Sequence, residues 1–195
     1  MIPDRVRRVA HEAMGTIFEA LIPDADESYA LQAAQAVFAE VDRIERLFSR
    51  FDPGSEISQI NRVAAGETMA IGIETYDCLS RAETVNRETS GAFDVRFGAA
   101  AASPNLDLIR SGSGFAVRVP SGDARIDLGG IGKGYALDRA AILLADWGIG
   151  CALIHGGTST ALAVGGAEWP VATGFTGTQP FRLSVGALSG YGTEV

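Results

Sequence analysis

Residues 125–138 read Arg-Ile-Asp-Leu-Gly-Gly-Ile-Gly-Lys-Gly-Tyr-Ala-Leu-Asp, with four glycines in six positions. Ile126 and Leu128 can close a short strand. From Lys133 the apolar residues Ala136, Ala140, Leu143, Leu144 and Trp147 recur at helical spacing, and Gly148 marks a stop. The glycines therefore fall where a strand turns into a helix. Without side chains they let backbone N–H groups close on a ligand, and the positive end of the helix dipole favours an anion, so a phosphate or pyrophosphate is the expected guest. Lys133 opens that helix, where the dipole disfavours a cation by a few tenths of a kcal/mol, and a nearby anion would offset the cost.

Neither common phosphate loop fits. The P-loop needs Ser or Thr after Gly-Lys, but Gly134 follows Lys133, and its first glycine falls on Asp127. In the dinucleotide fingerprint, started at Gly130 and Gly132, the third glycine falls on Tyr135. Asp127 itself stands at the strand end, where a carboxylate can cap the turn or accept hydrogen bonds from a nucleotide. His11 and His155 have no metal-ligand spacing around them, and Cys78 and Cys151 read as small apolar groups rather than a disulfide framework.

The elements that must hold this loop are legible in the flanking sequence. Residues 9–22 stop at Pro23 and read as a strand or hairpin arm. Asp26 or Ser28 can cap a helix running to Phe48, with the stripe Leu31, Ala34, Val37, Phe38, Val41, Ile44, Leu47 and Phe48. Burial at about 1.5–3 kcal/mol per large side chain makes that helix a main core element. After the turn Asp52-Pro53-Gly54, Ser55 can cap a short helix through Asn61. A longer helix follows from Ile73 to Thr89 with Tyr76, Leu79, Ala82 and Val85 inward and Gly91 past its end. Residues 93–97 alternate as a strand. Residues 115–119 and 124–128 read as a hairpin joined by Pro120-Ser121-Gly122, and residues 151–155, 160–164, 169–173 and 181–185 as four more strands. Two or three long helices on an antiparallel or mixed sheet give an α+β fold, and 195 residues suit a single domain.

A net charge of −8 with one dense basic cluster, at Arg5, Arg7 and Arg8, argues against a nucleic-acid partner. An apolar content of 47% without a spanning run argues against a membrane helix, and the start carries no signal-peptide pattern, which leads to an expectation of a cytoplasmic protein, or of an exported one if a leader has been trimmed.

The glycine stretch resembles the Asp-Leu-Gly-Gly-Ile-(Ala or Gly)-Lys-Gly-Tyr-Ala-x-Asp signature of the ApbE-type FAD:protein FMN transferases. Met14-Gly15-Thr16, the run from Phe48 to Ser58 with Asn61, Gly91-Ala92-Phe93-Asp94-Val95 and Ser189-Gly190 follow the same family in the same order. The resemblance covers the chain from about Met14 to Val195. It implies an α+β fold and a reaction in which FAD is split at its pyrophosphate, FMN passes to a Thr or Ser hydroxyl of a target protein, and AMP leaves. It also implies cofactor contacts at Met14, Phe51, Ala92, Phe93, Asp94, Asp127 and Lys133, and a backbone carbonyl for magnesium at Gly130. No catalytic residue is carried over.

Three departures qualify these expectations. Residues 98–114 are shorter than the family's counterpart. The turn usually reading Asn-Ala-Gly-Gly-Asp is here Ile154-His155-Gly156-Gly157-Thr158, with Thr158 in place of the aspartate. The family's next motif, His-x-Ile-Asp-Pro-x-Thr-Gly, would follow Val195, so the expectation is that the sequence is a fragment, or one half of a split enzyme whose fold a second polypeptide completes, or that flavin binding persists without transfer. On that reading the chain alone binds magnesium poorly and transfers FMN slowly or not at all.

Overall fold

A computed structural model describes residues 5–98, 106–112, 114–119, 125–172 and 180–190. In chain order the elements are β1 (Val6–Ala13), β2 (Thr16–Pro23), α1 (Glu27–Phe48), α2 (Glu56–Ile60), β3 (Thr68–Ile71), α3 (Ile73–Glu88), β4 (Arg96–Phe97), β5 (Asp107–Ser111) and β6 (Gly114–Arg118). They continue with β7 (Arg125–Ile126), α4 (Gly132–Asp146), β8 (Ala152–Gly156), β9 (Thr160–Val164), β10 (Trp169–Val171), β11 (Phe181–Leu183) and β12 (Gly186–Ser189). This is the α+β class expected. No helix among the described residues is long and apolar enough to cross a membrane. The backbone divides into two compact units, residues 1–44 with 133–195 and residues 45–132.

The first unit is built on an antiparallel sheet in the order β1-β2-β8-β9-β12. Met14 and Gly15, at φ 49° and 69°, make the two-residue turn between β1 and β2, the left-handed pair that matches strand twist. All of Ala152, Leu153 and Ile154 are buried, which a strand covered on both faces requires. One face gathers Leu153, Ala161 and Ala163 around Trp169, the first residue of the β10–β11 ribbon. On the same strands Glu19, 9% exposed, is paired with both Arg8 and His155, the latter at 2.7 Å.

Helix α1 begins where expected, since Asp26 Oδ1 accepts the N–H groups of Ser28 and Tyr29. Its buried stripe is Ala30, Ala33, Ala34, Val37, Phe38, Val41, Ile44 and Phe48, so the expectation for Leu31, 44% exposed, was wrong. His11 of β1 stacks on Phe38 and meets Asp42 at 2.7 Å. Glu40 receives Arg43 and, from α4, Arg139, while Tyr29 meets the Trp147 ring edge-on. Helix α4 ends as foreseen at Gly148, left-handed at φ 69°, where Ile149 N–H reaches back to Leu144.

The second unit carries a sheet in the order β3-β6-β5, on which α3 packs with Tyr76 against Phe115. The inward face of α3 is Thr75, Cys78, Leu79 and Ala82, so Leu79 and Ala82 are buried as expected while Tyr76 and Val85 are only partly covered. Glu56 accepts the Gly72 N–H with both oxygens, at 3.0 and 3.1 Å, and so substitutes for a side-chain cap at the start of α3. The expected hairpin between residues 115–119 and 124–128 does not form. β6 pairs instead with β5, turned at Gly112 with φ 55°, and β7 pairs with β4. Pro120-Ser121-Gly122 lies outside the described residues, as do residues 99–105 and 113. The strand expected over 93–97 is reduced to Arg96 and Phe97.

Candidate functional site

The site in the second unit begins with a short segment that bonds mainly to itself. Ser49 Oγ accepts the N–H groups of Phe51 and Asp52, Asp52 Oδ1 accepts that of Gly54, and Ser55 Oγ caps α2 by accepting the Ser58 N–H at 2.9 Å. Ser55 and Ser58 both return hydroxyl hydrogen bonds to the Ser49 carbonyl. With its backbone pinned on both sides, the turn has no freedom to fold Phe51 inward, and the ring stands 79% exposed. The Arg50 guanidinium lies over that ring, 4.4 Å from its centroid.

Asn61, just past α2, reaches the glycine stretch. Its amide donates to the Ile126 carbonyl at 2.9 Å and accepts the Ile126 N–H at 2.7 Å, which seats β7 against α2. The next residue, Asp127, hydrogen-bonds through its N–H to Val95. One carboxylate oxygen accepts the Gly129 N–H at 2.9 Å, and the other meets Arg50 Nε at 3.1 Å. Asp127 thus fills the capping role weighed for it, and its second oxygen is held by Arg50. None of the loop glycines is left-handed. Gly130 is needed for space, since a Cβ there would stand 3.0 Å from the Phe93 ring.

Phe93 is anchored at the end of α3, where its carbonyl accepts Asn86 and its N–H reaches Thr89. Asp94 follows and is engaged by Arg96, with Oδ1 2.9 Å from Nε and Oδ2 2.8 Å from Nη2. Burial alone would raise the Asp94 carboxyl, but the hydrogen bonds and charge of Arg96 outweigh it and hold the pKa below its ordinary 3.8. The hydrogen bond to Asp94 likewise keeps Arg96, 8% exposed, charged above its usual range.

Around these residues lies a cavity of about 320 Å³, lined by Arg50, Phe51, Ser58, Asn61, Arg62, Phe97, Arg125, Ile126 and Asp127. Three arginines against one aspartate leave it positive in a chain of net charge −8, and two exposed phenylalanines offer flat apolar surface. A planar, anionic ligand fits that chemistry.

Of the residues expected at the site, the structure brings Phe51 and Asp127 to this cavity and sets Phe93 against Gly130. Ala92 is exposed beside them, and Asp94 is committed to Arg96. Met14 and Lys133 belong to the first unit: Met14 in its hairpin turn, Lys133, the sole lysine of the chain, in the first turn of α4 with no ion pair among the described residues. Sequence reasoning left Arg50 and Asn61 without roles and missed Arg62, Phe97 and Arg125. An alternating pattern hid Phe97 as an ordinary strand residue, and nothing local marks Arg125. Among the described residues no three His, Cys, Asp or Glu side chains gather where they could share a metal ion. Gly130 can offer one carbonyl to a magnesium ion that a ligand's phosphates would mainly hold.

A family model described as the ApbE family matches residues 14–174. No curated protein sequence matches the chain. Among solved structures, an ApbE protein from Thermotoga maritima superposes with a TM-score of 0.78 at 21% identity, over 94% of this chain and 69% of that one. A variant of the flavin transferase ApbE from Vibrio cholerae gives 0.72 at 20% identity, over 90% and 69%. The apo flavinyl transferase ApbE from Pseudomonas stutzeri gives 0.69 at 16%, over 88% and 66%. Identities this low carry the fold and not the chemistry, whereas the family match spans most of the sequence: the chain belongs to the ApbE family.

Proposed function

We propose that the chain is a flavin transferase that binds FAD and passes FMN to a Thr or Ser hydroxyl of a target flavoprotein, releasing AMP. The observation that carries this reading is the positive, aromatic-lined cavity of the second unit, to which residues far apart in sequence, Phe51 and Asp127, both contribute. The transfer forms a bond between the acceptor oxygen and the FMN phosphorus as the pyrophosphate P–O bond breaks. AMP carries away the bridging oxygen, and the hydroxyl proton is lost. Positioning and charge stabilisation are the protein's main contributions to such a step. Phe51 offers a face for a flat ring, with Arg50 behind it and Asp127 fixing Arg50.

In the family's expected chemistry, magnesium neutralises charge on the phosphates. Such an ion would be held mainly by the phosphates with one or two protein oxygens. A second reading is that the chain binds FAD without transferring FMN. The experiment is a titration of the purified chain with FAD, followed by incubation with FAD, magnesium and a Thr-containing target peptide. Micromolar FAD binding with covalent flavin on the peptide supports the transferase. Binding without labelling supports the second reading, and no binding removes both.

A further inference from the structure

Strands β4 and β7 contribute a pair of side chains outside the family motifs. Phe97 stands directly opposite Arg125 in their antiparallel register, so the two side chains leave the pair on the same face, and both line the cavity. Phe97 is 71% exposed, although a phenylalanine ring gains by being covered.

The three arginines of the cavity are not equivalent. Arg50 is held by Asp127 and lies on Phe51, and Arg62 donates to the Pro53 carbonyl at 3.1 Å. Among the described residues Arg125 makes no ion pair or side-chain hydrogen bond. One open aromatic face and one uncommitted guanidinium therefore stand side by side. Aromatic faces accept bases and other flat heterocycles with little regard to identity, and a guanidinium matches phosphate oxygens in pairs.

We infer that Phe97 and Arg125 form a mononucleotide subsite, which takes a planar ring on Phe97 and the attached phosphate on Arg125. This rests on the flavin-nucleotide reading above and deepens it. At about 320 Å³ the cavity is at the low end of the roughly 300–1,000 Å³ that ligand pockets span, which suits one half of a dinucleotide better than the whole. Both halves of FAD, FMN and AMP, carry a ring and a phosphate, so the chemistry is shared and the experiment must separate them.

The test uses the full chain and the variants Phe97→Ala, Phe97→Tyr, Arg125→Ala and Arg125→Lys. FAD, FMN and AMP are each titrated by calorimetry at two salt concentrations, with thermal unfolding measured in parallel. Phe97→Ala should weaken FAD binding about tenfold while Phe97→Tyr preserves it. Arg125→Ala should weaken it by a similar factor and flatten its salt dependence, with Arg125→Lys in between. Both side chains are exposed, so the unfolding temperature should hold. The mononucleotide whose affinity falls in step identifies the half that occupies the subsite.

FAD affinities within twofold of wild type in both alanine variants would overturn the inference and leave the flavin reading standing. If wild type binds no FAD but binds FMN or AMP through Phe97 and Arg125, the flavin reading fails and the subsite remains. If wild type binds none of the three, both are lost.

Discussion

The resemblance assigns Asp94 to flavin contact, whereas the structure commits both its carboxylate oxygens to Arg96, and the variant Asp94→Asn separates the two roles. The wild-type carboxylate accepts the Arg96 N–H at 2.8 Å as well as the two guanidinium contacts. Asparagine keeps one accepting oxygen but turns an NH2 toward a guanidinium that has only donors. Breaking a fully buried pair leaves a stranded charge and costs about 3–5 kcal/mol. Here Arg96 is buried, but the Asp94 side chain is 29% exposed and Arg96 has further interactions, so about 2–3 kcal/mol is expected. In a chain of this size that lowers the unfolding temperature by roughly 5–10 °C.

The pH dependence follows from the same pair. A carboxylate whose folded pKa is depressed adds stability above its unfolded value, and loses that contribution as pH falls from 3.8 through the lower folded value. Urea midpoints measured from pH 7 down to the acid limit should show a descending limb below pH 3.8 that is shallower in Asp94→Asn. The double variant Asp94→Asn, Arg96→Met should recover part of the loss by removing the stranded charge. A loss below 0.5 kcal/mol on the order-of-magnitude scale of an exposed pair, with an unchanged acid limb and weakened FAD binding, would refute this account in favour of the flavin contact.

Three further outcomes are expected. Gly157→Ala should destabilise the first unit by about 2–4 kcal/mol, because its φ is 61° and the new Cβ would stand 2.3 Å from Thr16 Oγ1. Adding Thr16→Ala should recover the steric part in a denaturant melt, and no recovery would put the cost elsewhere. Burial pushes the Cys78 thiol up to about 12, so Ellman's reagent at pH 8 should find no more than one reactive thiol, Cys151, until the chain unfolds. Two fast thiols in the native protein would contradict this. Asp127→Asn keeps an oxygen for the Gly129 cap but neutralises the partly exposed pair with Arg50, so stability should move by less than about 1 kcal/mol while FAD affinity drops several-fold. A large stability loss with unchanged affinity would make Asp127 a capping residue alone.

What the sequence revealed, and what it hid, divides along the range of the forces involved. Ser55 capping α2, Asp26 starting α1 and Gly148 stopping α4 are decided by neighbours a few positions away, and all three were legible. Strand partners are decided at a distance. Pro120-Ser121-Gly122 has good hairpin chemistry, yet β6 pairs with β5 and β7 with β4, since the interior that each strand must cover selects its partner. The stripes on α1 and α3 were off at Leu31, Tyr76 and Val85 for a similar reason: periodicity identifies an apolar face but not its edges. At the cavity, Phe51 and Asp127 came from motifs. Phe97 and Arg125 face each other only because two short strands meet, a pairing that no local pattern encodes.

The polar bonds around Phe51 give the strongest physical argument that the cavity is a binding site. A sequence optimised only for stability would turn this ring inward. Here Ser49, Asp52, Ser55 and Ser58 instead spend hydrogen bonds to hold a short turn that keeps Phe51 in water, and Arg50, itself fixed by Asp127, lies on the ring. Local structure and hydrophobic burial therefore disagree at this point, and such disagreements concentrate where a ligand supplies the missing contact. A flat anion arriving in the cavity would cover the exposed aromatic surface and meet the surplus positive charge, which resolves both conflicts at once.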